Sequence, residues 1–298
     1  MYQLYFKFIN ETFMLETNSL NIFNILKIEL WPSESINYVK KCKIVYVGSS
    51  FQVDKVYDNP IETIGTQNIV GFDRKEMCEC LFINQASTIQ PVRNFLASVV
   101  CAYYKENKNF FVLHASCVMK NKKAVLLLGK KHSGKTTLSL EMISNYEYKL
   151  VADDLSFIVI RGKKVYCYSL FKGIHLNDET FDYYSGFYSN IYNVDSEKTR
   201  YYVKKVKNKC IVTHIILSAV SEALEKPSLE ENNLKKQMNV INDNYINFTD
   251  DKRLTINEKL NNLLKKDIQV FNCCFGKDIN ISGIYLNDLL QKINSDGG

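Results

Sequence analysis

Apolar residues along the first part of the chain fall at spacings suited to strands. Between residues 1 and 86 the runs "QLYFKFI", "KIVYVGSSFQV" and "CECLFI" are rich in Tyr, Val, Ile and Phe, with partial alternation and polar turns between them. The period then changes: in "IQPVRNFLASVVCAYYKE", Val92, Phe95, Leu96, Val99 and Val100 recur at helical spacing, which predicts a helix from about 92 to 105. Two apolar strands follow, Phe110–Met119 and Lys123–Gly129, joined by the short polar connector Lys120-Asn121-Lys122 as a hairpin requires. A helix is expected to begin near Lys135, carry Leu138, Leu140, Met142 and Ile143, and end near Asn145. "KLVADDLSFIVI" reads as an apolar strand interrupted by two Asp, and "KKVYCYS" as another after an Arg161-Gly162 turn. The segment 172–197 reads as loop with short elements, "CIVTHIILSAV" as a strand, and 222–260 as polar with a helix around 258–266. A strand, "IQVFNCCFG", and a helix, "GIYLNDLLQKI", are expected near the end. Together these predict an α/β chain with a β-rich N-terminal domain over 1–90 and a second domain over 91–298.

Between the second strand of the hairpin and the helix lies Gly129-Lys130-Lys131-His132-Ser133-Gly134-Lys135-Thr136, followed by Thr137, which satisfies G-x-x-x-x-G-K-[ST]. In such a P-loop, glycines let successive N–H groups turn around a phosphate while the following helix points its positive end at it. Lys135 would reach the β/γ-phosphates and the Thr136 hydroxyl would ligand Mg²⁺. Asp153-Asp154 lies 18 residues beyond Lys135, at the end of "KLVA". Adjacent strand residues face opposite ways, so one carboxylate could serve the metal while the other accepts the proton of an attacking hydroxyl. His114, inside "FVLHASCV", is either a satisfied core histidine or a third member of the site.

Composition narrows the setting. Of the 298 residues, 46% are hydrophobic and 23% charged, as in a globular protein with a sizeable core. The net charge of +6 is scattered, and the basic residues are not organised with exposed aromatics beyond Tyr201-Tyr202, so nucleic acid is not the expected partner. The nine Cys sit mostly in apolar runs without C-x-x-C spacing, which points to reduced, buried thiols in a cytoplasmic protein. The N-terminus lacks a basic n-region, and no run of 18 apolar residues occurs, so neither a signal peptide nor a membrane span is expected.

His114-Ala115, the loop ending in Lys135-Thr136 and Leu150 to Asp154 resemble, in order and interval, the catalytic domain of the HPr kinase/phosphorylase family, and "TTLSLEMI" is similar to that family's helix. The likeness covers roughly 110–160, with a further echo in "QVFNCCFGKDI". It implies an HPr-kinase-like P-loop kinase fold, a mixed sheet with flanking helices, using ATP (GTP stays open) and Mg²⁺. By the same resemblance Lys135 is a nucleotide-phosphate ligand, Thr136 a Mg²⁺ ligand, Asp153 the catalytic acid/base and His114 a supporting residue. Asp154 is the carboxylate left for the metal. The chain also departs from the family. Lys131 replaces the loop's Ser, His132 its middle Gly, and "YSLFKGIHLNDE" stands where the family has E-[IL]-R-G-x-G-I. The departures point away from the bifunctional regulator. They favour the divergent relatives that phosphorylate a serine on a ribosomally made precursor peptide, including lasso-peptide precursors. Lys198 and Arg200, in the basic stretch Lys198–Lys209, fall where similar proteins carry a "G-K-R"-like segment, and either steady phosphates or an acidic substrate or form a solvated basic edge.

The leading expectation is therefore a kinase acting on a hydroxyl of a peptide or small protein. A nucleotide-binding scaffold without catalysis and a small-metabolite kinase are the alternatives. Homo-oligomerisation stays open.

Overall fold

The computed structural model describes residues 1–46, 60–64, 68–73, 78–83, 89–176, 188–195, 198–203, 206–220, 228–232, 238–248, 263, 268–276 and 291. The chain separates into two compact units: Met1–Glu106 with Leu170–Asp178 and Ser189–Tyr202, and Asn107–Ser169 with Glu179–Tyr188 and Val203–Gly298. The boundary expected between residues 90 and 91 thus differs from the one observed. The helix after it carries its apolar stripe into the first unit, and two later segments return there.

In the first unit, strands β1 (Tyr2–Phe8), β2 (Glu11–Thr17), β3 (Lys40–Tyr46), β4 (Pro60–Ile64), β5 (Asn68–Asp73) and β6 (Cys78–Ile83) form a six-stranded sheet in the order β1-β2-β3-β6-β5-β4. β2, β3 and β6 run parallel, and the remaining pairs are antiparallel. A parallel connection needs a crossover, and α1 (Leu20–Glu29) supplies it between β2 and β3. The sequence reading missed this helix because its Ile-rich run looks strand-like. Its signals were Ser19, whose hydroxyl caps the Ile22 N–H at 3.4 Å, and the spacing of Ile22, Leu26 and Glu29, all buried. The expected second helix is α2 (Gln90–Tyr103), which packs on β3 and β6 and buries Val92, Phe95, Leu96, Val99 and Val100.

The second unit begins with β7 (Phe110–Leu113), β8 (Ser116–Lys120), β9 (Lys123–Leu128), α3 (Lys135–Asn145), β10 (Lys149–Ala152), β11 (Ser156–Arg161) and β12 (Lys164–Tyr168). β8 and β9 form the expected hairpin, closed by Asn121 (φ 50°) and Lys122 (φ 68°), both left-handed as a two-residue hairpin turn demands. The expected single strands 110–119 and 149–160 are each broken. β7 pairs with β11 and β8 with β10, so 110–120 and 149–161 form one antiparallel ribbon interrupted opposite itself at His114-Ala115 and Asp153–Leu155.

Next come β13 (Gly173–Leu176), β14 (Tyr188–Asp195) and β15 (Lys198–Val203), a small sheet in the order β13-β15-β14. The turn-rich reading of 172–197 therefore missed two strands. β16 (Lys209–Val220), β17 (Ser228–Asn232), α4 (Met238–Asp243), β18 (Tyr245–Ile246) and β19 (Gln269–Phe275) complete the described elements. The helices expected at 258–266 and at "GIYLNDLLQKI" lie outside the described residues except for Leu263 and Gln291, both helical.

The ten-stranded sheet of the second unit runs β10-β8-β9-β16-β12-β11-β7-β18, with β19 beside the C-terminal half of β16 and β17 beside β19. β9, β16 and β19 are parallel. The β7–β8 and β10–β11 links are only a few residues long, so the two ends of this strand order must approach each other and the sheet must curl. Its core gathers Phe111, Leu126, Leu128, Ile158, Ile215 and Val270 with the thiols of Cys117, Cys167 and Cys210. None of the nine cysteines is in a disulfide, and all but Cys274 are buried, as their apolar settings predicted.

At the end of α1, Glu29 meets Arg93 of α2 at 3.5 Å, both fully buried, and the guanidinium lies 4.5 Å over the Phe171 ring. Removing one partner of such a pair strands a charge. Arg93→Ala is expected to cost the first unit about 3–5 kcal/mol, measured by denaturant unfolding, and replacing Glu29 and Arg93 together by apolar residues should recover most of that loss.

Candidate functional site

Strand directions alone bring the candidate residues together. β8 is antiparallel to both β9 and β10, so β9 and β10 point the same way and end at one edge. Gly129 follows the end of β9, Asp153 follows the end of β10, and the first residue of β8, Ser116, lies between them, opposite Leu127.

The loop is built around its glycines. A Cβ at Gly129 would lie 2.3 Å from Ser133 Oγ and 2.5 Å from the Ser218 carbonyl oxygen, so no other residue fits there. Gly134 is left-handed (φ 78°), caps α3, and lies so close to Phe275 that a Cβ would meet its ring at 2.4 Å. Lys135 is buried, its ammonium donating to the carbonyls of Gly129 (2.8 Å) and Lys130 (3.0 Å). Burial pulls the Lys135 pKa below the ordinary lysine value, opposed by the charges of Asp154 and then Asp153. The side chains of Lys130, Lys131 and His132 are exposed, that of Thr137 is half-buried, and His132 is left-handed (φ 65°) where the resembling family has glycine. The first N–H groups of α3, from Lys135 to Thr137, have no carbonyl one turn back to receive them, which makes this end suited to an anion.

The two carboxylates diverge. Asp153 is buried, and its Oδ1 accepts from the hydroxyls of Ser116 (2.6 Å) and Thr136 (3.3 Å). Asp154 is half-buried and left-handed (φ 63°), at the centre of a three-residue turn closed by Leu155 N–H donating to the Asp153 carbonyl at 2.8 Å. That pattern is the rarer, strained form of the γ-turn. His114 Nε2 lies 3.5 Å from Asp154 Oδ1, with its backbone N–H held by the Asn244 carbonyl at 2.6 Å. The expectation that the two Asp face different ways is met by a turn and not by strand alternation. Thr136 sits against Asp153, whereas Asp154 faces His114.

Ser116, Asn244 and Ser218 were not anticipated. Ser116 lies two residues after His114, an interval that could have flagged it, whereas Asn244 and Ser218 reach the site through pairing across long sequence separations. Lys198 and Arg200 lie on β15, with Arg200 opposite His175 of β13, in the first unit. The loop and both carboxylates belong to the second.

The fold and this edge define a mixed α/β unit with a glycine-built loop beside two adjacent carboxylates. The chain is similar in structure to the Hpr(Ser) kinase/phosphatase from Coxiella burnetii, at 14% identity and a TM-score of 0.34, over 62% of this chain and 97% of that one. The likeness is distant. No family model and no curated protein matches the chain. Among the described residues no helix is long and apolar enough to cross a membrane.

Two opposite effects on stability are expected from the loop. His132→Gly should raise it by about 1 kcal/mol by removing left-handed strain, and Gly134→Ala should lower it by forcing the Phe275 ring aside. Unfolding midpoints measured without nucleotide check both.

Proposed function

We propose that this chain is an ATP- and Mg²⁺-dependent kinase that transfers the γ-phosphate to a hydroxyl. The observation that carries this reading is the convergence of Lys135, Thr136 and Asp153 at one sheet edge, with Thr136 Oγ1 3.3 Å from Asp153 Oδ1. The residues fit the cofactors. Gly129 and Gly134 let the loop lie close against β16 and β19, α3 offers its N–H groups, and Thr136 with a carboxylate of the 153–154 pair supplies the hard oxygen donors that Mg²⁺ prefers. ATP bound there would supply the transferable phosphoryl group, with the metal neutralising its charge.

Asp153 would take the proton of the acceptor hydroxyl as that oxygen bonds to the γ-phosphorus and the bond from phosphorus to the β,γ-bridging oxygen breaks, releasing ADP. Its Oδ1 accepts from two hydroxyls, contacts that suit the ionised form a base requires. Lys135, already turned into the loop, would exchange its carbonyl partners for phosphate oxygens. His114 steadies Asp154 and so the strained turn that aims Asp153. Burial of Asp153 and Lys135 limits water at this point, which strengthens their electrostatics.

The acceptor is read from sequence resemblance: a serine of a peptide or small protein, a ribosomal peptide precursor by preference. Lys198 and Arg200 are proposed to steady phosphates or an acidic substrate.

The test incubates the purified chain with ATP, Mg²⁺ and serine-containing precursor peptides, reading the gain of one phosphate by mass spectrometry. Asp153→Asn and Lys135→Ala should each lower turnover by about 100-fold or more. Full activity in either variant would sink the assignment, and nucleotide binding with no transfer to any hydroxyl would favour the scaffold.

A further inference from the structure

Ser133 sits within the loop where a phosphate contact is the simplest expectation, yet its hydroxyl points elsewhere. It is buried and lies 3.0 Å from the hydroxyl of Ser218, also buried, on β16. Ser218 in turn donates to the Leu128 carbonyl, the last of β9, at 3.1 Å. A hydroxyl carries one proton. With that of Ser218 committed to Leu128, the proton between the two serines must come from Ser133, whose hydroxyl then has none left to donate to a ligand. The Ser133 backbone N–H is also engaged, donating to the Lys130 carbonyl at 3.1 Å.

The surroundings leave this chain of hydrogen bonds little freedom. β16 runs parallel to β9 with Leu217 opposite Leu128, which sets Ser218 beside Gly129. The space a Gly129 Cβ would need is filled by Ser133 Oγ, the Ser218 carbonyl oxygen and Ser218 Oγ, at 2.3, 2.5 and 2.9 Å. One turn further, Gly134 rests on Phe275 of β19, with Val220 of β16 behind it. The loop therefore lies on the C-terminal ends of two neighbouring parallel strands, fastened to the first by hydroxyls and to the second by close packing.

We propose that Ser218 and Ser133 are positioning residues that latch the 129–136 loop to β16. Ser133 serves nucleotide binding through this latch and makes no side-chain contact with phosphate. The inference rests on the nucleotide-binding part of the proposed function. Without the latch the loop samples other arrangements, and bound nucleotide must pay for reordering it.

The test is a titration of the full chain with a fluorescent ATP analogue (methylanthraniloyl-ATP) and Mg²⁺, for wild type, Ser133→Ala, Ser218→Ala and the double variant. Each single change should weaken binding about 5- to 10-fold, the worth of one buried hydrogen bond. The double should be no weaker than the poorer single, because both remove the same link. In turnover assays KM for ATP should rise by a larger factor than kcat falls, a split that general loosening of the fold would not give. Should Ser218→Ala not fold, Ser133→Ala decides from the loop side. Wild-type affinity in Ser133→Ala, or losses that add in the double variant, would overturn the latch. If wild type fails to bind the analogue, the nucleotide reading falls and the latch with it. If wild type binds but transfers no phosphate, the kinase reading fails while the latch is still decided by the binding losses.

Discussion

The site depends on a single buried carboxylate, Asp153, finding hydrogen-bond donors. A carboxyl group with only 4% of its surface exposed is costly to bury unless donors replace the lost water. Ser116 and Thr136 do so, and they come from two different elements, the start of β8 and the first turn of α3. That requirement couples the loop helix to the sheet edge. If α3 shifts, Thr136 withdraws; if the ribbon slips by one residue, Ser116 turns to the other face. Either movement takes a hydroxyl donor away from Asp153.

The interruption of the ribbon is the structural condition for this. An unbroken ladder over 110–120 and 149–161 would have consumed the backbone of His114 and Asp153 in regular pairing. Instead, the chain stops pairing between Leu113–Ser156 and Cys117–Ala152, and Ser156 donates to the Ala115 carbonyl at 2.9 Å to hold the two broken segments against each other. The Asn244 carbonyl accepts the freed His114 N–H. The break is thus largely satisfied in hydrogen bonds, although its backbone is strained at Asp154. Positive φ does not by itself mark function here: Asn121 and Lys122 adopt it to close the β8–β9 hairpin at the end opposite Ser116 and Gly129. What distinguishes Asp154 and His132 is that each stands beside a group the proposed chemistry uses.

Local pattern made part of this legible. The spacing of Gly129, Gly134, Lys135 and Thr136 and the apolar runs on either side are short-range features, and strand, loop and α3 follow them closely. The Lys120–Lys122 connector was equally clear, since a hairpin is decided by adjacent residues. The breaks at His114 and Asp153 could be read only as polar interruptions. Whether such a residue ends a strand depends on what the other strand does opposite it, and here both strands break at the same point. α1 and the strands β13 and β14 were missed for related reasons: an Ile-rich helix and a Tyr-rich segment take their form from tertiary neighbours and not from propensity.

Ser218 shows where sequence reading stops. It is 90 residues from Leu128 and 85 from Ser133, in an apolar run where a serine looks incidental. Its placement follows from β16 inserting beside β9 in parallel, a choice made by the whole sheet. The glycines of the loop require that neighbour as much as they require a phosphate. Gly129 has no room for a Cβ because Ser133 and Ser218 occupy the space, so its identity is already explained before any ligand is considered. A glycine-rich loop is therefore constrained on the side facing its own sheet as well as on the side facing its ligand, and the first constraint prepares the backbone for the second.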